Sequence, residues 1–133
     1  METIFSKIIA GSIPSTKLYE DGICIAILDI APVIKGHALI ITREPYATIA
    51  ECPEAILGHL MGVVKRLDGR MREVLGAEAT NIIINNGSAA GQEVPHLHIH
   101  VIPRYAKDNK RFFPPKDQYS PGEMAALGVK LHL

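Results

Sequence analysis

Three histidines stand at alternate positions in the run His96-Leu97-His98-Ile99-His100-Val101. On an extended strand, residues two apart point to the same face, so the three imidazoles share one face while Leu97, Ile99 and Val101 share the other. At about 3.3 Å per residue, same-face neighbours are roughly 6.6 Å apart and the outer two roughly 13 Å, so the middle ring is flanked by both others. Three chemistries suit this set. The rings can be solvated polar residues on an exposed face. They can supply zinc ligands, with His37 or Glu93 brought in by the fold. Or one neutral imidazole can act as a nucleophile at phosphorus, forming a phosphorus–nitrogen bond that water later cleaves. Metal binding is hampered because three ligands on one straight strand do not readily converge, and Cys24 and Cys52 are not clustered with the histidines in sequence.

A nucleophilic imidazole needs one nitrogen free, the other donating a hydrogen bond that fixes the tautomer, and nearby donors for phosphoryl oxygens. Flanking histidines can meet both needs. The loop Asn86 to Pro95 adds Gly87, Gly91 and Gln92, whose backbone N–H groups and side-chain amide suit an anion pocket.

The surrounding elements must hold these groups. Ile4, Phe5, Ile8 and Ile9 recur at helical spacing before Gly11 and Pro14, which predicts a short helix. Thr16 to Glu20 and Ile23 to Leu28 flank Asp21-Gly22, which predicts a hairpin with a primed two-residue turn. His37 to Thr42 reads as the next strand. A long helix is predicted from Pro53 to Gly76, with a stripe of Leu57, Leu60, Met61, Val64, Leu67, Met71, Val74 and Leu75. Asn81 to Asn85 and Leu97 to Pro103 read as two further strands. Beyond Arg104 the chain turns basic and carries Pro114-Pro115, which predicts an irregular arm. Ser120-Pro121-Gly122-Glu123 then predicts a short helix whose Met124, Leu127 and Leu131 face the core. The pattern is that of one α+β domain over residues 1–133.

With 133 residues, Lys+Arg 14 balancing Asp+Glu 14, and 47% hydrophobic content, the chain suits a single folded domain. Zero formal charge gives no overall attraction to a nucleic-acid polymer or an anionic membrane, so an anionic ligand needs a local site. The opening residues lack the apolar run of a signal or membrane segment, and a cytoplasmic protein with free thiols is expected.

The stretch Asn85 to Arg104, with its His-x-His-x-His, resembles the signature of the histidine triad (HIT) family. Ile4-Phe5-Ser6-Lys7-Ile8-Ile9, Tyr19-Glu20-Asp21, Asp29-Ile30-Ala31-Pro32 and Gly36-His37 extend the resemblance over about residues 3–105, leaving 106–133 as a C-terminal arm and helix. Gly58-His59-Leu60-Met61 resembles the HINT-like branch, although Ile102-Pro103-Arg104-Tyr105 lacks that branch's Gly-Gly-Arg.

The resemblance implies a five-stranded antiparallel sheet, joined into ten strands in a homodimer with the long helix at its interface. It also implies a hydrolase that cleaves at the α-phosphorus of purine nucleoside 5'-monophosphate derivatives, such as AMP phosphoramidates, through a nucleotidyl-histidine. On that pattern His98 is the nucleophile, His96 and His100 orient it and bind phosphate oxygens, and His37 supports the network. Asn85, Gly91, Gln92 and Glu93 lie at the phosphate or leaving group. Phe5, Ile8, Ile27 and Ile30 form the base slot, and Asp29 meets the ribose. No cofactor is implied. The structural zinc of many relatives uses a Cys-x-x-Cys pair and a histidine at positions that are Thr3, Ser6 and Tyr46 here, so no metal ligands are expected. Glu93 replaces a Ser or Thr found in some relatives. A dinucleoside polyphosphate hydrolase using the basic arm, or a nucleotide-binding regulatory protein with little catalysis, are the competing readings.

Overall fold

The computed structural model describes residues 2–133. Helix α1 (Ile4–Ile9) leads into strands β1 (Lys17–Glu20), β2 (Cys24–Leu28) and β3 (Ala38–Thr42). Helix α2 (Glu54–Leu75), strands β4 (Ala79–Ile83) and β5 (His98–Arg104), and helix α3 (Glu123–Leu131) follow. The strands form one sheet in the order β1-β2-β3-β5-β4, every pairing antiparallel. The expected α+β fold with its five-stranded sheet and long helix is present.

Alternation along the central strands divides the core in two. Cys24 and Ala26 of β2, Ala38 and Ile40 of β3, and Ile99 and Val101 of β5 pack with Leu60, Val63, Val64 and Met71 of α2. Ile25 and Ile27, then Leu39 and Ile41, point to the opposite face and pack with Phe5 and Ile8 of α1. His98 pairs with Ile41, and His100 lies between Leu39 and Ile83. The apolar half of β5 therefore lies under α2, and its histidine half shares the face covered by α1. With both faces buried, β2 and β3 read in sequence as unbroken apolar runs.

Several boundaries differ from expectation, each for a physical reason. The hairpin turn is not the primed type, because neither Asp21 nor Gly22 takes positive φ. Instead the Asp21 carboxylate accepts the backbone N–H groups of Ile23 and Cys24 at 2.8 and 2.9 Å, making an aspartate-capped turn. The same carboxylate accepts the Tyr19 hydroxyl at 2.7 Å and lies 2.6 Å from Nε2 of His59, tying the hairpin to α2. Strand β4 begins two residues earlier than expected, so Asn85 lies beyond it, and β5 begins at His98, so His96 precedes the ladder.

The terminal helix starts at Glu123 and buries no side chain, contrary to the expected core contact. Met124, Leu127 and Leu131 are 64%, 39% and 74% exposed. Neither core cluster includes this helix: α2 packs on one sheet face and α1 on the other. The stripe of α2 also divides: Leu60, Val64 and Met71 are buried, whereas Met61, Val74 and Leu75 face outward. Cys24 and Cys52 are free thiols, as expected, and both are buried. Among the described residues, no helix is long and apolar enough to cross a membrane.

Candidate active site

Local chemistry at the two ends of the triad places its rings. At the N-terminus, Thr3 caps α1 in a capping box with Ser6, accepting the Ser6 N–H at 3.1 Å while Ser6 Oγ accepts the Thr3 N–H at 3.2 Å. This fixes Phe5, whose ring packs edge-on to His96 and His98 with centroids 5.7 and 4.9 Å away. At the other side, Gly36 (φ +100) turns the chain into His37, and its missing Cβ leaves room for Leu75 and Pro103.

The hydrogen bonds determine where each histidine carries its proton. A carbonyl can only accept, so His98 donates its Nδ1–H to the His96 carbonyl at 2.7 Å, leaving the Nε2 lone pair unencumbered. Burial lowers the His98 pKa and outweighs the raising effects of that bond and of Asp29, so the ring is neutral near pH 7.

A second chain of donors starts at the Val33 N–H, which His37 Nδ1 accepts at 3.1 Å. His37 therefore holds its proton on Nε2 and donates it to His100 Nδ1 at 2.9 Å, so His100 carries an N–H at Nε2. Burial, helped by its proximity to His98 and His37, lowers the His100 pKa to about 4. His37 is lowered too, mainly by burial, with Asp29 opposing at 3.6 Å. A neutral acceptor and a neutral donor thus sit side by side, the His98 and His100 ring centroids 5.0 Å apart.

Both rings open on a cleft of about 860 Å³. One wall is apolar, made by Ile4, Phe5, Ile8, Ile13, Ile27 and Leu39; Asp29, Ile30, Asn85, Gly91, Glu93 and Val94 are among the other lining residues, with the 14–16 segment and Leu28. Phe5, Ile8 and Ile27 are at once core and wall, buried among their neighbours while facing the cleft, whereas Ile30 is fully exposed at the rim. No Lys or Arg belongs to this lining.

Two expected ligand contacts fall elsewhere. The His96 ring is buried, with Nδ1 2.7 Å from Thr3 Oγ1 and Nε2 donating to the Thr42 carbonyl at 2.6 Å, so it has no nitrogen to offer a phosphate. Gln92 is outside the cleft lining, its amide oxygen accepting the Gly87 N–H at 2.8 Å and its amide nitrogen donating to the Ala47 carbonyl of the segment after β3 at 2.7 Å. Sequence reasoning missed Ile4, Ile13, Leu39 and Val94 in the wall. Leu39 was accessible through β3 alternation, because it shares the parity of Ile41 and so the histidine face. It also missed Thr3, Val33 and Thr42 as partners of the histidines, since those bonds cross between elements.

Among the described residues, two clusters of His, Cys and Asp side chains have ligand atoms within 4.8 Å of one another, Asp29 with His37 and His100, and Asp21 with Cys24 and His59. In both, the histidine nitrogens or carboxylate oxygens are already used in hydrogen bonds.

This geometry agrees with the comparisons. The family model of the HIT domain matches residues 10–107. The chain belongs to the HIT family. Within the HIT family it falls in the HINT-like branch. It is 38% identical over 135 residues to the adenosine 5'-monophosphoramidase hnt1 of Schizosaccharomyces pombe, covering 98% of this chain and 96% of that one. It is 40% identical over 107 residues to the adenylylsulfatase HINT3 of Arabidopsis thaliana, covering 80% of this chain and 54% of that protein. This HIT chain therefore spans about half of the plant protein. A zinc-bound histidine triad family protein from Mycobacterium smegmatis superposes with a TM-score of 0.80 at 36% identity, covering 88% of this chain and 85% of that one.

At the positions where the family resemblance implies a structural zinc, the residues here do not fit one: Thr3, Ser6 and Tyr46 offer hydroxyls, and Thr3 Oγ1 is engaged with His96 Nδ1 at 2.7 Å.

Proposed function

We propose that this HIT protein is a nucleotide hydrolase that cleaves at the α-phosphorus of purine nucleoside 5'-monophosphate derivatives, AMP phosphoramidates and similar conjugates, through a nucleotidyl-His98 intermediate. The observation that carries it is the His98 proton held on Nδ1 by the His96 carbonyl beside the cleft. Nε2 then attacks phosphorus as a neutral nucleophile, and the bond to the leaving amine breaks as the amine takes up a proton from solvent, a proton that the attacking water returns in the second step. The positive charge that develops on the His98 ring is stabilised through Nδ1–H by the same carbonyl. The His100 Nε2–H is a donor for the phosphoryl oxygens. Water then attacks phosphorus, releasing the nucleoside monophosphate and restoring neutral His98.

The apolar wall of Phe5, Ile8 and Ile27 suits a purine face, and Asp29 at the cleft edge suits ribose hydroxyls. The names of the fission-yeast and plant relatives both point to an adenylyl group. Charge favours amine conjugates over dinucleoside polyphosphates: the ionisable side chains of the lining apart from histidine are Asp29 and Glu93, which disfavour additional phosphates. Arg104, the first cation of the basic arm, is itself paired with Asp108 at 2.7 Å. A homodimer is part of the proposal, supported by the outward-facing Met61 and Val74 of α2 and by Ile82 on the unpaired edge strand β4. Cytoplasmic residence and independence from any cofactor are proposed with it.

The test is release of AMP from an AMP phosphoramidate by wild-type protein and by His98→Ala. The expected outcome is loss of at least a hundredfold in kcat, with one nucleotidyl group trapped on His98 in wild-type protein by mass spectrometry. Near-wild-type turnover by His98→Ala, or a label on another residue, would overturn it.

A further inference from the structure

We propose that Thr3 is a positioning residue for His98, and that its hydroxyl holds the triad by a hydrogen bond in a HIT chain whose residues do not fit the zinc of its relatives. This rests on His98 being the nucleophile. Thr3 is 8% exposed, and its Oγ1 meets His96 Nδ1 at 2.7 Å across 93 positions of sequence. His96 Nε2–H is committed to the Thr42 carbonyl at 2.6 Å, so Nδ1 can only accept and the Thr3 hydroxyl is the donor. The ring is thus pinned at both nitrogens, between the cap of α1 and the end of β3.

The pinned residue supplies the carbonyl that sets the tautomer of His98, at 2.7 Å. His96 lies before the first residue of β5, and the β3–β5 register begins at the Ile41–His98 pair. Outside the ladder, the peptide that carries the His96 carbonyl is held on its amide side by the Leu97 N–H donating to the Tyr46 carbonyl at 2.6 Å, and the pinned His96 ring anchors the residue from its side chain. From the same N-terminal turn, Phe5 packs against both His96 and His98.

Without the hydroxyl, the buried Nδ1 of His96 has no donor. The ring then either shifts its proton, which sets a lone pair against the Thr42 carbonyl, or rotates. Both remove the side-chain anchor of His96 and leave the carbonyl that orients His98 held by the Leu97–Tyr46 backbone bond alone. Valine matches threonine in shape but not in hydrogen bonding, whereas serine keeps the donor.

The experiment compares wild type, Thr3→Val, Thr3→Ser and Tyr19→Phe for turnover of an AMP phosphoramidate, with melting temperatures measured in parallel. Thr3→Val should lose about tenfold to a hundredfold in kcat with KM changed by less than about twofold. Thr3→Ser should recover most of the loss. Tyr19→Phe removes a hydroxyl–carboxylate bond on the other side of the sheet and should lower the melting temperature while keeping kcat. Substrate-free ¹⁵N imidazole spectra should show wild-type His96 protonated on Nε2 and His98 on Nδ1, and zinc analysis should find none bound at His96.

Wild-type kcat in Thr3→Val, failure of Thr3→Ser to recover, or one zinc per chain held by His96 would overturn the proposal. If Thr3→Val does not fold, the wild-type spectrum decides, because a proton on His96 Nδ1 is incompatible with the Thr3 hydroxyl as donor and would overturn the proposal. Full activity in His98→Ala would instead sink the nucleophile assignment, and the spectra would still report on Thr3 and His96.

Discussion

His37 donates its Nε2–H to His100 Nδ1 at 2.9 Å, and this bond makes His100 a donor toward the cleft. Two neighbouring neutral imidazoles thereby have opposite roles: His98 presents a lone pair and His100 an N–H. Replacing His37 with Phe should free His100 to adopt either tautomer. We expect kcat on a phosphoramidate to fall by about tenfold or more, with little change in KM. Unchanged kcat would show that His100 does not need its partner.

Acid should destabilise the fold through the same rings. His37, His96, His98 and His100 all have pKa values lowered mainly by burial, His100 to about 4. Below the ordinary histidine value of about 6.5 the unfolded chain therefore binds protons that the native chain refuses. Stability is fully present above about pH 6.5 and is lost as pH falls toward the native values. His100 alone contributes on the order of 3 kcal/mol by the time pH falls to about 4. Urea midpoints at pH 7.5, 6 and 5 should fall in that order. A flat or rising series would contradict neutral burial.

Gly36 couples the fold to the site. It holds φ +100, and a Cβ there would come within 2.8 Å of Leu75 Cδ1 and 3.3 Å of Pro103 Cγ. Gly36→Ala should cost about 1–3 kcal/mol and misplace His37, so both melting temperature and kcat should drop. Equal loss of stability with intact kcat would separate the turn from the histidine chain.

Glu93 lines the cleft with Asp29, and no Lys or Arg lines it with them. Glu93→Lys should raise kcat/KM for a diadenosine polyphosphate relative to an AMP phosphoramidate by about threefold to tenfold, an effect that weakens with added salt. An unchanged ratio would mean that Glu93 does not sense the leaving group.

Alternation alone put Ile99 and Val101 on the core face and His98 and His100 on the other, because side-chain direction in a strand has a fixed period of two. The long helix was equally legible from its stripe, and Gly76 takes the left-handed conformation that ends it. Local chemistry was less decisive at the turns. Asp21 caps its hairpin through its carboxylate instead of entering a primed turn, a choice stabilised by Tyr19 and His59 from neighbouring segments.

By itself, the sequence determined the α+β class, the histidine face and the family resemblance, since these depend on residue type and short-range spacing. Tertiary structure decided the roles within the triad. His96 and His98 differ by two positions, yet one is clamped between Thr3 and Thr42 while the other faces the cleft. Tautomers are set by partners such as Val33, His37 and Thr3, which approach from other elements. Likewise, the α3 stripe reads as core from its spacing, yet both core clusters form without it. Spacing fixes which way a side chain points, and only the folded chain fixes what it meets there.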